Sequence, residues 1–168
     1  MKKTALIILN YNNVEDTINC IRSVLRYNTA PVKFIVVDNG SPRAGVVKKL
    51  DRYMSETFGN GYTRVQENTP ITWPYLNQAT LLVSKHNDGY ACGNNKGLKL
   101  ADADPEIEDV MILNNDILFI EDIIPSLLEE RQKLPDCAII SPLLLCRDRK
   151  TGGVFCARYE ANVWQQIR

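Results

Sequence analysis

The chain has 168 residues, 45% of them apolar, which is enough to bury a core and fold as one domain. Lys and Arg together number 20 and Asp and Glu 20, so no net field of either sign draws it onto nucleic acid or anionic lipid. Its five cysteines, odd in number and without a Cys-x-x-Cys pair, exclude a disulfide framework and a zinc knuckle and fit reduced thiols in a cytosol.

Met1-Lys2-Lys3 leads into an apolar stretch that ends at Asn10-Tyr11-Asn12-Asn13 without the small-residue cleavage site of a leader, so it reads as a first strand over Thr4 to Leu9. No apolar run approaches the ~20 residues of a membrane span, and no transmembrane segment is expected. Asn12 with Glu15 resembles a capping box, and Val14, Ile18, Ile21, Val24 and Leu25 recur at helical spacing to an end near Asn28. Val32 to Val37 reads as a second buried strand, stopped by the turn cluster Asp38-Asn39-Gly40-Ser41-Pro42. Gly45 to Met54 is periodic as a helix, and Thr57 to Pro74 is an irregular insertion with room for one strand.

Thr80 to Ser84 is the next strand, then the loop Lys85 to Tyr90 and a helix over Ala91 to Ala101. Asp109 to Leu113 is a strand, Ile123 to Leu134 a helix, and Cys137 to Ile140 a last strand. Strands alternating with helices predict an α/β, Rossmann-like fold, mainly a parallel sheet with helices on both faces and ligands bound beyond the carboxyl ends of the strands.

Four loops follow those strands: Asn10-Tyr11-Asn12, Asp38-Asn39-Gly40-Ser41, His86-Asn87-Asp88-Gly89-Tyr90 and Asn114-Asn115-Asp116. Any one of them has the composition of an ordinary turn or helix cap, and Asp38 in particular suits a cap for the helix after Pro42. Asp116 differs, because apolar Ile117, Leu118 and Phe119 follow it at once. A carboxylate at a strand end suits a hard divalent cation, magnesium or manganese, shared with substrate phosphates. Gly89, Gly93 and Gly97 recur every four residues, a smooth helix face for tight packing or for a ligand. Neither Gly-x-Gly-x-x-Gly after the first strand nor a P-loop is present, and His86, the lone histidine, is more a surface residue than a catalyst.

Taken in order, the segments Ala5 to Asn12, Val36 to Ser41, Asn87 to Asn95 and Leu113 to Asp116 resemble the family 2 nucleotide-diphosphate-sugar glycosyltransferases of GT-A fold, especially the rhamnosyltransferase-like branch. The resemblance implies that Asn10, Tyr11 and Asn12 line a base pocket and that Asp38, with Asn39 and Ser41, contacts a pyrimidine. It implies that Asn87, Gly89 and Asn94 cover the ribose and diphosphate, and that Asn114-Asn115-Asp116 stands for the family's Asp-x-Asp, with Asp116 as metal ligand and Asn114 in place of the first acid. The activity implied is inverting, metal-assisted transfer from UDP- or dTDP-sugar to a saccharide or lipid-linked saccharide acceptor in cell-envelope polysaccharide synthesis. The place implied is the cytoplasm, at the inner face of the membrane for the full-length protein.

No match to the family's catalytic acid precedes Arg168; Asp148 and Glu160 are poor substitutes, and no catalytic residue is assigned. The expected organisation is a nucleotide-sugar-binding core over 1–145 and the incomplete start of an acceptor region over 146–168, the chain being a truncated donor-binding portion. A non-catalytic nucleotide-sugar-binding module is the alternative. A sugar nucleotidyltransferase is disfavoured, since Asn10 to Asn13 is nothing like its glycine- and lysine-rich loop.

Overall fold

The computed structural model describes residues 2–70, 77–134, 136–142, 144–145 and 152–153. The chain divides into two compact units, Met1–Pro125 and Ser126–Arg168. The first holds β1 (Lys3–Asn10), α1 (Val14–Tyr27), β2 (Val32–Asp38), α2 (Val46–Phe58), β3 (Tyr62–Gln66), β4 (Ala79–Val83), α3 (Gly89–Asp102) and β5 (Ile107–Asn114). The helix α4 (Ile123–Lys133) begins there; the second unit carries the short antiparallel pair β6 (Leu144–Leu145) and β7 (Gly152–Gly153).

All five strands of the first unit run parallel in the order β3-β4-β2-β1-β5, the α/β Rossmann-like arrangement expected from the alternating pattern. The chain passes from β1 to β2, places β3 at the outer edge, returns with β4 between β3 and β2, and then crosses over β2 and β1 to place β5 on the other side. The strand order therefore reverses at β1, and in sheets of this kind ligands bind beyond the carboxyl ends of the strands. Register aligns Asn10 with Asp38 and Leu9 with Asn114, so the polar strand ends finish level with one another.

β1 and β2 read as continuous apolar runs because both of their faces are covered: Ala5 to Ile8 and Phe34 to Val37 are fully buried. Ala5, Ile7, Ile35 and Val37 pack with Leu100 and Ala101 of α3. The alternate residues point to the other side, where α1 and α2 lie and the Phe34 ring meets Phe58 at 5.3 Å. The glycine repeat serves this packing. A β-carbon at Gly93 would lie 2.5 Å from Leu9 Cδ1, and one at Gly97 2.7 Å from Ile7 Cγ2, so both positions let α3 seat directly on the sheet.

Several local expectations are corrected. Asn12 does not cap α1: it sits at φ 61, its Oδ1 accepts the Arg43 N–H, and the cap position Asn13 makes no side-chain cap bond. Asp38 does not cap α2, because its carboxylate closes on Ser41, while Gly45 at φ 84 occupies that helix's N-terminal boundary. α2 runs on to Phe58, and the polar stretch after it holds β3 as the outer parallel strand. Cys137 to Ile140 is not a strand. The expected acceptor region at 146–168, with Asp148 and Glu160, lies outside the described residues except for 152–153.

Candidate functional site

Side-chain hydrogen bonds join the loops at the carboxyl edge into a closed circuit. From β1, Asn10 Nδ2 donates to Asp38 Oδ1 at 2.7 Å. Ser41 Oγ donates to the same oxygen at 2.6 Å, and the Ser41 N–H reaches Oδ2 at 3.1 Å. Asn12 N–H donates to Ser41 Oγ at 2.8 Å, which draws the first loop onto the second. Beside Asp38, Asn39 Nδ2 donates to Asn87 Oδ1 at 2.8 Å and to the Gly89 carbonyl at 3.1 Å. The Tyr90 hydroxyl then donates to Asn114 Oδ1 at 3.0 Å. Asn115 Nδ2 donates to Thr17 Oγ1 at 3.1 Å, and the Thr17 hydroxyl returns to Asn10 Oδ1 at 2.9 Å.

The circuit separates a buried floor from an exposed rim. Asn10 and Asp38 are 0% and 1% exposed, with Asn39 beside them also buried, whereas Tyr11 and Tyr90 are 44% and 59% exposed. Asn94, on the buried side of α3, donates to the Tyr90 carbonyl at 3.1 Å. Its Oδ1 and that of Asn39 are buried acceptors with no donor among the described residues. Two loops meet backbone to backbone at Gly40, where φ is +68 and a β-carbon would lie 2.4 Å from the His86 carbonyl carbon, so only glycine fits. Between them opens a cleft of about 480 Å³ over Asp38, walled by Tyr11, Ser41, Pro42, Val47 and His86. That volume lies within the range of small-molecule sites.

A family model described as "Glycosyl transferase family 2" matches residues 5–151, most of the chain and all four strand-end loops. The chain belongs to glycosyl transferase family 2. No curated protein matches it. In this family 2 domain the five-stranded parallel sheet with its helices is the architecture of a GT-A fold. No helix among the described residues is long and apolar enough to cross a membrane.

In the same family 2 domain Asp116 stands exposed just past β5, in the turn that also carries Asn115. Its charge reaches inward as far as α1: the Cys20 thiol is pushed up to about 12, by burial first and by the Asp116 carboxylate second. Among the described residues no three His, Cys, Asp or Glu side chains gather to hold a metal.

Sequence reasoning missed two groups here. Thr17 is the hinge of the circuit, and its only signal was a hydroxyl among the apolar residues of the buried α1 face. Lys96 on α3 holds Glu67, Ser84 and Asp88 together, and it looked like any solvated helix lysine.

Proposed function

We propose that this family 2 domain moves a sugar from a pyrimidine nucleotide-diphosphate donor, a UDP- or dTDP-sugar, to an acceptor hydroxyl with inversion at the anomeric carbon. The observation that carries this reading is the closed circuit of polar loops at the carboxyl edge of the sheet, with a cleft beside it over Asp38, in a chain of glycosyl transferase family 2. An ionised carboxylate offers about four acceptor positions, and three at Asp38 are taken by Asn10 and Ser41. One is left, which suits the single ring N–H of uracil or thymine and not the bare ring nitrogen of cytosine. Tyr11 and Val47 supply apolar wall for the base, and Ser41, bonded to Asp38, holds that carboxylate in place.

The N-terminus of α3, which begins at Gly89 beside Asn87, is where backbone N–H groups would meet the diphosphate. Asp116, with the amides of Asn114 and Asn115, would hold magnesium or manganese. Such an ion supplies charge neutralisation for the departing diphosphate. In the transfer the acceptor oxygen bonds to the anomeric carbon, the bond from that carbon to the diphosphate breaks, and the hydroxyl proton leaves to a base. The acceptor class is a saccharide, free or lipid-linked. The resemblance of the loops to the rhamnosyltransferase-like branch is what supports cell-envelope polysaccharide assembly at the inner face of the membrane as the setting.

Calorimetric titration with UDP and dTDP, with and without manganese, tests the reading. Both nucleotides are expected to bind and manganese to tighten them. Asp116→Ala should remove the manganese increment, and Asp38→Ala should weaken binding about tenfold or more with or without metal. Failure of both nucleotides to bind in either condition would refute the donor site.

A further inference from the structure

The loop between β4 and α3 forms one wall of the cleft through Ser84, Lys85, His86 and Asn87. Wall loops of this kind are where a binding site loses its shape first, because each backbone group not tied to the fold is free to move. This one is tied from its inner side by Asn39, which holds Asn87, and by the backbone contact at Gly40.

The outer side is held by a single ammonium. Lys96 Nζ donates to Asp88 Oδ2 at 2.6 Å, pairs with Glu67 Oε1 at 2.9 Å and donates to Ser84 Oγ at 3.2 Å. Its three partners come from three segments: the residue after β3, the residue after β4 and the residue before α3. Glu67 completes the clamp, since its second oxygen accepts the Lys85 N–H at 2.9 Å and its own N–H donates to the Val83 carbonyl at 2.9 Å. Lys96 is 16% and Glu67 21% exposed, so the bond between them is partly shielded from water and salt, whereas Asp88 at 46% holds its end of the clamp in solvent. The charge balance has the same direction: Lys96 is raised, its bonds to Asp88 and Glu67 outweighing burial, while Glu67 is lowered by the Lys85 N–H and then by Lys96.

We propose that Lys96 is a positioning residue for the nucleotide cleft: by holding Glu67, Ser84 and Asp88 at once it sets the place of the wall from Ser84 to Asn87. The role rests on the donor-site reading above for its ligand, but the fixing of the wall does not. An ammonium that does not itself line the cleft thus governs how well the pocket fits a base.

The test compares the whole 168-residue chain with Lys96→Met, Lys96→Arg and Glu67→Gln, reading nucleotide affinity by calorimetry and amide hydrogen exchange at positions 85–89. Lys96→Met should weaken UDP and dTDP about tenfold and speed exchange at 85–89 by a similar factor, leaving β1 and β2 as slow as before. Lys96→Arg should restore both to within about threefold, a rescue that loss of bulk packing would not give, and Glu67→Gln should fall between. Unchanged exchange at 85–89 in Lys96→Met and Glu67→Gln would overturn the proposal, as would loosening spread evenly over the sheet. If the unaltered chain binds neither nucleotide, the donor-site reading fails, and exchange alone decides whether Lys96 fixes the wall. Should Lys96→Met not fold, Glu67→Gln carries the same two readouts.

Discussion

Thr17 shows how much of the site depends on one hydroxyl. It donates to Asn10 Oδ1 and accepts from Asn115 Nδ2, joining β1 to the loop after β5. Thr17→Val keeps the shape and strips both bonds, leaving the buried Asn10 oxygen without its donor, a loss of about 1–3 kcal/mol. Urea denaturation should register that loss, and in Thr17→Val/Asn115→Ala the two effects should add to less than their sum, since both cut the same link. The residue types at the strand ends were legible in the sequence; their first partners were not. Asn10 and Asp38 read as groups facing a ligand, yet they bond each other at 2.7 Å, because a register that pairs them in adjacent strands cannot be read from composition. Thr17 was invisible for a related reason: a threonine between Asp16 and Ile18 looks like a tolerated helix residue until the neighbouring strand is in place.

Among the elements, α3 is the one whose sequence looks least like a helix, with three glycines, of which Gly93 and Gly97 lie in its interior and each weaken it by about 1 kcal/mol against alanine. Contact with the sheet reverses that arithmetic at Gly97. The added methyl of Gly97→Ala would meet Ile7 Cγ2 at 2.7 Å and Val37 Cγ2 at 3.3 Å, and overpacking of this kind costs about 1–3 kcal/mol. Net destabilisation by alanine is expected in a denaturant titration; a gain in stability would mean that α3 can lift away from β1 at little cost. Sequence periodicity found β1, β2 and β4 because strands covered on both faces are uninterrupted apolar runs, and β5 as a similar run although its Val110 and Ile112 are exposed. The same rule misread Cys137 to Ile140. Four apolar residues become a strand only where another strand offers backbone partners, and Ile139 there is 78% exposed.

Across the whole sheet, the edge opposite the cleft is built from charge. Lys33, buried at the start of β2, bonds Asp104 at 2.6 Å and Glu106 at 2.7 Å, and Lys3 reaches the same Glu106 oxygen at 2.9 Å. Hydrogen bonds from Lys33 and then Lys3 hold the Glu106 carboxyl down at about 2, against an ordinary 4.5. A depressed carboxylate lends its stability in full above its unfolded value and loses it as pH falls through the folded one. Thermal melts should therefore show a Glu106-dependent decline between about pH 4.5 and pH 2, and Glu106→Gln should be less stable at neutral pH with a shallower decline over that acid window. The circuit at the other edge bears on the order in which the molecule assembles. Its links join residues 28, 48 and 98 positions apart, and the longest cannot close until β5 has docked beside β1. Side-chain bonds that need the finished register on both sides of them are expected to lock after the folding barrier, which φ-values near zero at Thr17 and Asn115 would show. The loops at this edge are thus a product of the finished sheet and not its nucleus, so a ligand that grips them would lengthen the lifetime of the native state while leaving the speed of folding alone.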